Sequence, residues 1–116
     1  MSINKELAKG STALLVLSTV SRKEMYGYQI IQEIAQTSGG VFHMNEGTLY
    51  PILHMLEKQG LLEAYWEERA TARKRKYYRI TSKGLEVMQA QTQEWETYAT
   101  AVRSVLLGGE AHAVSG

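Results

Sequence analysis

The stretch NEGTLYPILHMLEKQG, Asn45 to Gly60, decides how the whole chain is read. Leu49, Ile52, Leu53 and Leu56 recur at the spacing that lines one face of an α-helix. Asn45 is a residue type that caps a helix N-terminus through its side-chain oxygen, and Gly60 is the type that ends one. Against this stand Gly47 and Pro51, the only proline in the chain. Proline lacks the N–H that would bond the carbonyl four residues back, and its ring presses on that carbonyl, which here belongs to Gly47. The two helix-weakening residues are thus a matched pair. They predict a shaped first turn that tilts Thr48 and Tyr50 outward and leaves the backbone open to close approach.

Working outward, the N-terminal side predicts two more helices. Ile3, Leu7, Leu14 and Leu17, with Ala13 and Leu15 beside them, form a helical stripe ending near Ser21. After the polar turn SRKE, the segment YGYQIIQEIAQTSGG places Ile30, Ile31 and Ile34 on one face and stops at Gly39 and Gly40. On the C-terminal side, Leu61 to Trp66 and Lys76 to Ile80 are short and rich in aromatic and branched residues. They predict an antiparallel hairpin joined by a charged loop. Ser82 to Leu107 then reads as one long helix in which Leu85, Met88, Thr92, Trp95, Ala99, Val102 and Leu106 alternate steps of three and four.

This order is mainly α with a small β-hairpin, a winged helix-turn-helix followed by a long C-terminal dimerisation helix. The expected division is residues 1–81 for the winged helix-turn-helix, 82–107 for the dimerisation helix and 108–116 for a frayed tail. A heptad seam with no partner inside so small a domain predicts a two-fold homodimer, held by Leu7, Leu85, Met88, Trp95, Val102 and Leu106 with the first helix alongside.

Composition excludes several chemistries. The chain of 116 residues has no cysteine, and all twelve of its acids are glutamate. Disulfides, thiolate zinc sites, cysteine nucleophiles and the usual aspartate-bearing triad therefore drop out. His43, Glu46 and Met44 are a thin first shell for a metal, and His54 has no nucleophile in a matching motif. No catalytic residue, metal or cofactor is expected. The longest apolar run, Ala13 to Leu17, is far short of the roughly 20 residues that span a bilayer, and Met1 is not followed by an export signal. A cytoplasmic setting and no membrane partner are expected.

Net charge is only +1, but seven of the thirteen basic residues fall between Arg69 and Lys83 with no acid among them. Arg73, Lys74, Arg75 and Lys76 are consecutive at the hairpin tip, and strand alternation sends one of Tyr77 and Tyr78 inward and the other outward. A solvated hairpin tip is the bland alternative. Double-stranded DNA fits better, because each neutralised phosphate releases counterions whatever the sequence. Base reading would fall to the helix of the opening stretch, whose face opposite the leucines carries Gly47, Pro51, His54, Met55 and Lys58, with Thr48 and Tyr50 on its flanks. Arginine and glutamine are missing there. Direct readout is therefore sparse, limited to Asn45 and His54, and DNA shape carries much of the discrimination.

The runs YGYQI, EGTLYPILHMLEKQGLLEAYWEE and RKRKYYRITSKG resemble the PadR family of transcriptional regulators over roughly Leu14 to Trp95. The resemblance implies a winged-helix repressor that dimerises through its long last helix, and it adds Tyr26 to the DNA-facing residues. Met55 stands where many members have arginine, and Ala70, Thr71 and Ala72 replace a glycine-rich wing tip. In the small drug-sensing members that the chain resembles, a tryptophan at the place of Trp95 lies in a flat pore at the dimer centre. By that resemblance Leu14, Ser18, Met88, Thr92, Trp95 and Ala99 would line a site for planar aromatic molecules. The plain alternative for Trp95 is core packing. For the chain as a whole, the alternative is a winged-helix module for protein association with no operator of its own.

Overall fold

The computed structural model describes residues 11–68 and 74–109. Helix α1 spans Thr12–Arg22, strand β1 Met25–Tyr26, helix α2 Gly27–Thr37 and helix α3 Glu46–Lys58. Strand β2 follows at Leu62–Glu67, β3 at Arg75–Ile80 and helix α4 at Ser82–Leu106. Ile3 and Leu7 of the expected first helix lie outside the described residues, as do Arg73 and the Ala70-Thr71-Ala72 wing tip.

Helix α3 forms as its caps dictate. Asn45 Oδ1 accepts the Thr48 N–H at 2.9 Å, and Glu46 in the first turn and Lys58 in the last both complement the helix dipole. At the other end the Leu61 N–H donates to Leu56 O and the Gly60 N–H to Glu57 O, with Gly60 at φ +76°. This is the paired closure that a left-handed glycine permits, and Leu56 and Leu61 bury the contact that goes with it. The helix runs unbroken through Pro51.

Leu49, Leu53 and Leu56 of α3 meet Val16, Leu17 and Val20 of α1, Ile30 and Ile34 of α2, and Leu62 and Tyr78 of the sheet in one core. Each such side chain contributes about 1.5–3 kcal/mol on burial. Thr19 is the buried polar side chain among them, and its hydroxyl is satisfied by donating to Leu15 O at 2.7 Å.

The sheet has a strand that the sequence does not announce. Beyond the β2–β3 hairpin, β1 pairs antiparallel with β3, so the order is β1-β3-β2. Met25 lies opposite Tyr78 and Tyr26 opposite Tyr77, while Tyr65 faces Tyr77 and Trp66 faces Lys76 across the hairpin. Alternation then sorts the side chains. Tyr78 points into the core and Tyr77 to the outer face.

Thr81 starts α4. Its Oγ1 accepts the Gly84 N–H at 2.9 Å and donates to Gly60 O at 2.7 Å, which ties the last helix to the end of α3. Gly84 is the buried residue of α4, and Val87 and Met88 pack against the core. Beyond them the helix leaves the domain with its apolar residues largely uncovered.

Candidate nucleic-acid interface

The side of α3 turned away from the core is continuous and exposed from Asn45 through Gly47, Thr48, Tyr50, Pro51, His54 and Met55 to Lys58. Tyr50 is held in place by a neighbour. Its ring lies over Gly27 at the start of α2, where a Cβ would come within 2.7 Å of the Tyr50 hydroxyl. Helices α2 and α3 therefore meet through a glycine that seats the tyrosine.

The wing stands beside this face, and its basic residues differ in their surroundings. Lys74 is exposed, with Glu68 at 4.0 Å as a loose ion pair. The Arg75 guanidinium sits 4.5 Å above the Tyr26 ring. Lys76 is half-buried, with Nζ 3.7 Å from Glu57 Oε1 of α3 and 5.7 Å from the Tyr78 ring centre. It links the wing to the α3 helix, whereas Lys74 projects into solvent.

On the outer face of the sheet an aromatic and cationic ladder stiffens the wing. Tyr26 meets Tyr77 edge-on at 5.5 Å, Tyr65 stacks on Tyr77 at 5.7 Å, and Arg79 covers Tyr65 at 4.9 Å while pairing with Glu63 at 3.0 Å. The Tyr65 hydroxyl donates to Glu24, which raises that phenol above its ordinary range.

Between wing, α2 and α3 lies a cleft of about 610 Å³ lined by Tyr26, Gly27, Tyr28, Glu46, Tyr50, Trp66, Lys74, Arg75, Lys76 and Tyr78. The structure thus gathers Tyr26, Tyr50, Lys74, Arg75 and Lys76 from the expected set into one concavity. Asn45, Thr48, Pro51, His54 and Lys58 stand on the exposed side of α3. Sequence reasoning passes over Tyr28 and Trp66. Strand alternation from Tyr78 through the Trp66–Lys76 pairing is the signal that places Trp66 on the cleft side.

A second depression, of about 360 Å³, brings Leu14 and Trp95 together with Ser11, Ala13, Gln91, Glu94 and Tyr98. The Trp95 and Tyr98 rings lie 5.8 Å apart. Ser18, Met88, Thr92 and Ala99 do not line it; Met88 packs on the core, and Thr92 donates back to the Met88 carbonyl at 2.8 Å. Along the expected seam Leu85, Trp95, Val102 and Leu106 are all exposed. His43 and His54 are exposed, and no group of metal-binding side chains occurs among the described residues.

Residues 16–90 match the sequence model of the transcriptional regulator PadR-like family. The chain belongs to this family. It is 31% identical over 109 residues to transcriptional regulator Rv3488 of Mycobacterium tuberculosis, covering 93% of this chain and 94% of that one. A PadR family transcriptional regulator from Eggerthella lenta superposes with a TM-score of 0.77 at 35% identity, over 87% of this chain and 86% of the other. A transcriptional regulator from Clostridium thermocellum gives 0.80 at 28% identity, over 88% and 96%. As a PadR-like protein the chain is a DNA-binding transcriptional regulator and not an enzyme. No helix among the described residues of this regulator is long and apolar enough to cross a membrane.

Proposed function

We propose that this PadR-like regulator is a homodimeric repressor of a pseudo-palindromic operator. The observation that carries the reading is that the exposed face of α3 and the cationic edge of the wing flank a single cleft. In a dimer, two α3 helices would enter major grooves about 34 Å apart while the wings hold phosphates or the adjacent minor groove. Asn45, Thr48, Tyr50, Pro51, His54 and Lys58 face the groove, and Tyr26, Lys74 and Arg75 face the backbone. Lys76 serves by anchoring the wing to Glu57.

A gel shift with the DNA upstream of the gene tests the reading. Lys74→Ala should weaken binding to every duplex and lower the salt slope by about one unit, since one phosphate contact is lost. An unchanged slope removes Lys74 from the phosphate contacts.

The exposed Trp95 and Tyr98 rings beside Leu14 support a planar aromatic effector bound where two copies meet, with Thr92 and Ala99 of the seam leaving room and Glu94 favouring a cation. Such a ligand releases the operator by favouring a dimer geometry that mismatches the two half-sites. Ligand quenching of tryptophan emission should vanish in Trp95→Phe and persist in Trp66→Phe; the reverse pattern moves the effector away from Trp95.

A further inference from the structure

Trp66 has no role in the core. It sits on the core-facing side of the hairpin, opposite Lys76, yet it remains 61% exposed. Its neighbour Tyr65, of opposite parity, belongs to the outer ladder, so Trp66 is not part of the device that stiffens the wing. An indole left in water at that level carries a large apolar area that some partner can cover.

The surroundings define that partner. Lys74, Arg75 and Lys76 line the cleft, and the rings of Tyr26, Tyr28 and Tyr50 line it with them. A ligand complementary to both is anionic at close intervals and carries flat or apolar units between the charges, which describes a nucleic-acid strand. Glu46 on the α3 wall repels phosphate, so the anionic edge of such a strand is drawn to the wing, beside the indole.

Resting on the DNA-binding reading, we propose that Trp66 is a DNA-contacting residue, its indole packing on a deoxyribose of the strand whose phosphates Lys74 and Arg75 hold. A sugar is common to every nucleotide. The contact therefore adds affinity without reading bases, and it releases no counterion.

The test uses Trp95→Phe protein, in which Trp66 is the remaining tryptophan of the two in the chain. Fluorescein-labelled duplex from upstream of the gene is titrated while anisotropy and tryptophan emission are followed together. Trp66 emission should change on the same isotherm as the anisotropy, and acrylamide should quench it less in the complex. In the otherwise native chain, Trp66→Ala should lose about tenfold in affinity for specific and mixed-sequence duplexes alike. Its salt slope should stay that of the parent, unlike Lys74→Ala, and Trp66→Phe should recover most of the loss. Unchanged circular dichroism in Trp66→Ala assigns the loss to the contact, whereas a collapsed spectrum together with silent Trp66 emission overturns it. DNA binding with silent emission and native affinity in Trp66→Ala overturns the proposal and leaves the DNA-binding reading standing. Absence of binding to any duplex removes both. If Trp66 emission instead shifts with protein concentration alone, a second copy covers the indole and the proposal fails.

Discussion

At Gly47 neither packing nor conformation requires a glycine. An added Cβ would meet Asn45 Oδ1 at 3.4 Å as its near neighbour, and Gly47 is not among the positive-φ glycines. Helix propensity alone favours alanine there by about 0.5–1 kcal/mol. What glycine leaves is bare backbone on the exposed first turn, beside a proline that withholds one N–H from its carbonyl. Gly47→Ala and Pro51→Ala should therefore melt no lower than the parent yet bind the operator more weakly. Thermal melts and gel shifts on the same preparations check this, and full operator affinity in both variants would reduce the pair to a tolerated irregularity. Tyr78 makes a different argument. It is 1% exposed, and burial pushes its phenol from 10.0 up to about 12. The folded chain then keeps a proton that the unfolded chain has released, so this contribution to stability is complete below pH 10.0 and is lost as pH rises toward about 12. At about 1.4 kcal/mol per pH unit the loss across that window is roughly 2–3 kcal/mol. Tyr78→Phe should flatten the alkaline fall in denaturant melts, and an equally steep fall in the variant would assign it to other groups.

At the level of elements, the start of α4 is a closely packed junction. Leu61 O receives the Thr81 N–H at 3.0 Å, and a Cβ on Gly84 would lie 2.1 Å from the same oxygen. That atom is backbone, fixed by the closure at the end of α3, so it cannot swing aside. Gly84→Ala should lower stability by about 3 kcal/mol or more, measured by urea denaturation. A cost below about 1 kcal/mol would mean that α4 slides on the sheet with little resistance. Nothing in the pattern SKG signals this, because the reason for glycine is a carbonyl brought there from far away in sequence. The same limit hides β1: two residues give no alternation, and Met25 and Tyr26 become a strand only because Tyr78 and Tyr77 offer an edge. The α3 helix, by contrast, is legible from its caps and its leucine period, which are local. Strand ends move by a residue from expectation, to Leu62–Glu67 and Arg75–Ile80, since propensity cannot say where a ladder stops. The cleft itself is half legible. A basic run names the cations, but only the register shows that Lys76 turns to Glu57 and that Trp66 shares its side of the sheet.

Across the whole molecule, the imbalance is in α4. It extends over Ser82–Leu106 with Gly84 as its buried residue, while Leu106, in line with Trp95 and Val102, is 78% exposed and Val105 on the flank of that line 79%. Apolar area is worth about 25 cal/mol per Å² once covered, so this stripe supplies a driving force that one copy alone leaves unused. In the homodimer proposed above, a second copy of the same helix, related by a two-fold axis, would cover this stripe with a pattern that matches residue for residue. The double variant Val105→Glu, Leu106→Glu leaves the core untouched and should keep the melting behaviour of the winged-helix domain. In light scattering its mass should fall to that of one chain. Operator affinity should fall with it by orders of magnitude, because two linked half-sites act at high effective concentration and separate ones do not. Loss of mass with unchanged operator affinity would show that each chain recognises DNA alone. A retained dimer would move the interface off the end of α4, and the spacing of the two α3 helices would then have to be set by α1 or by residues outside those described.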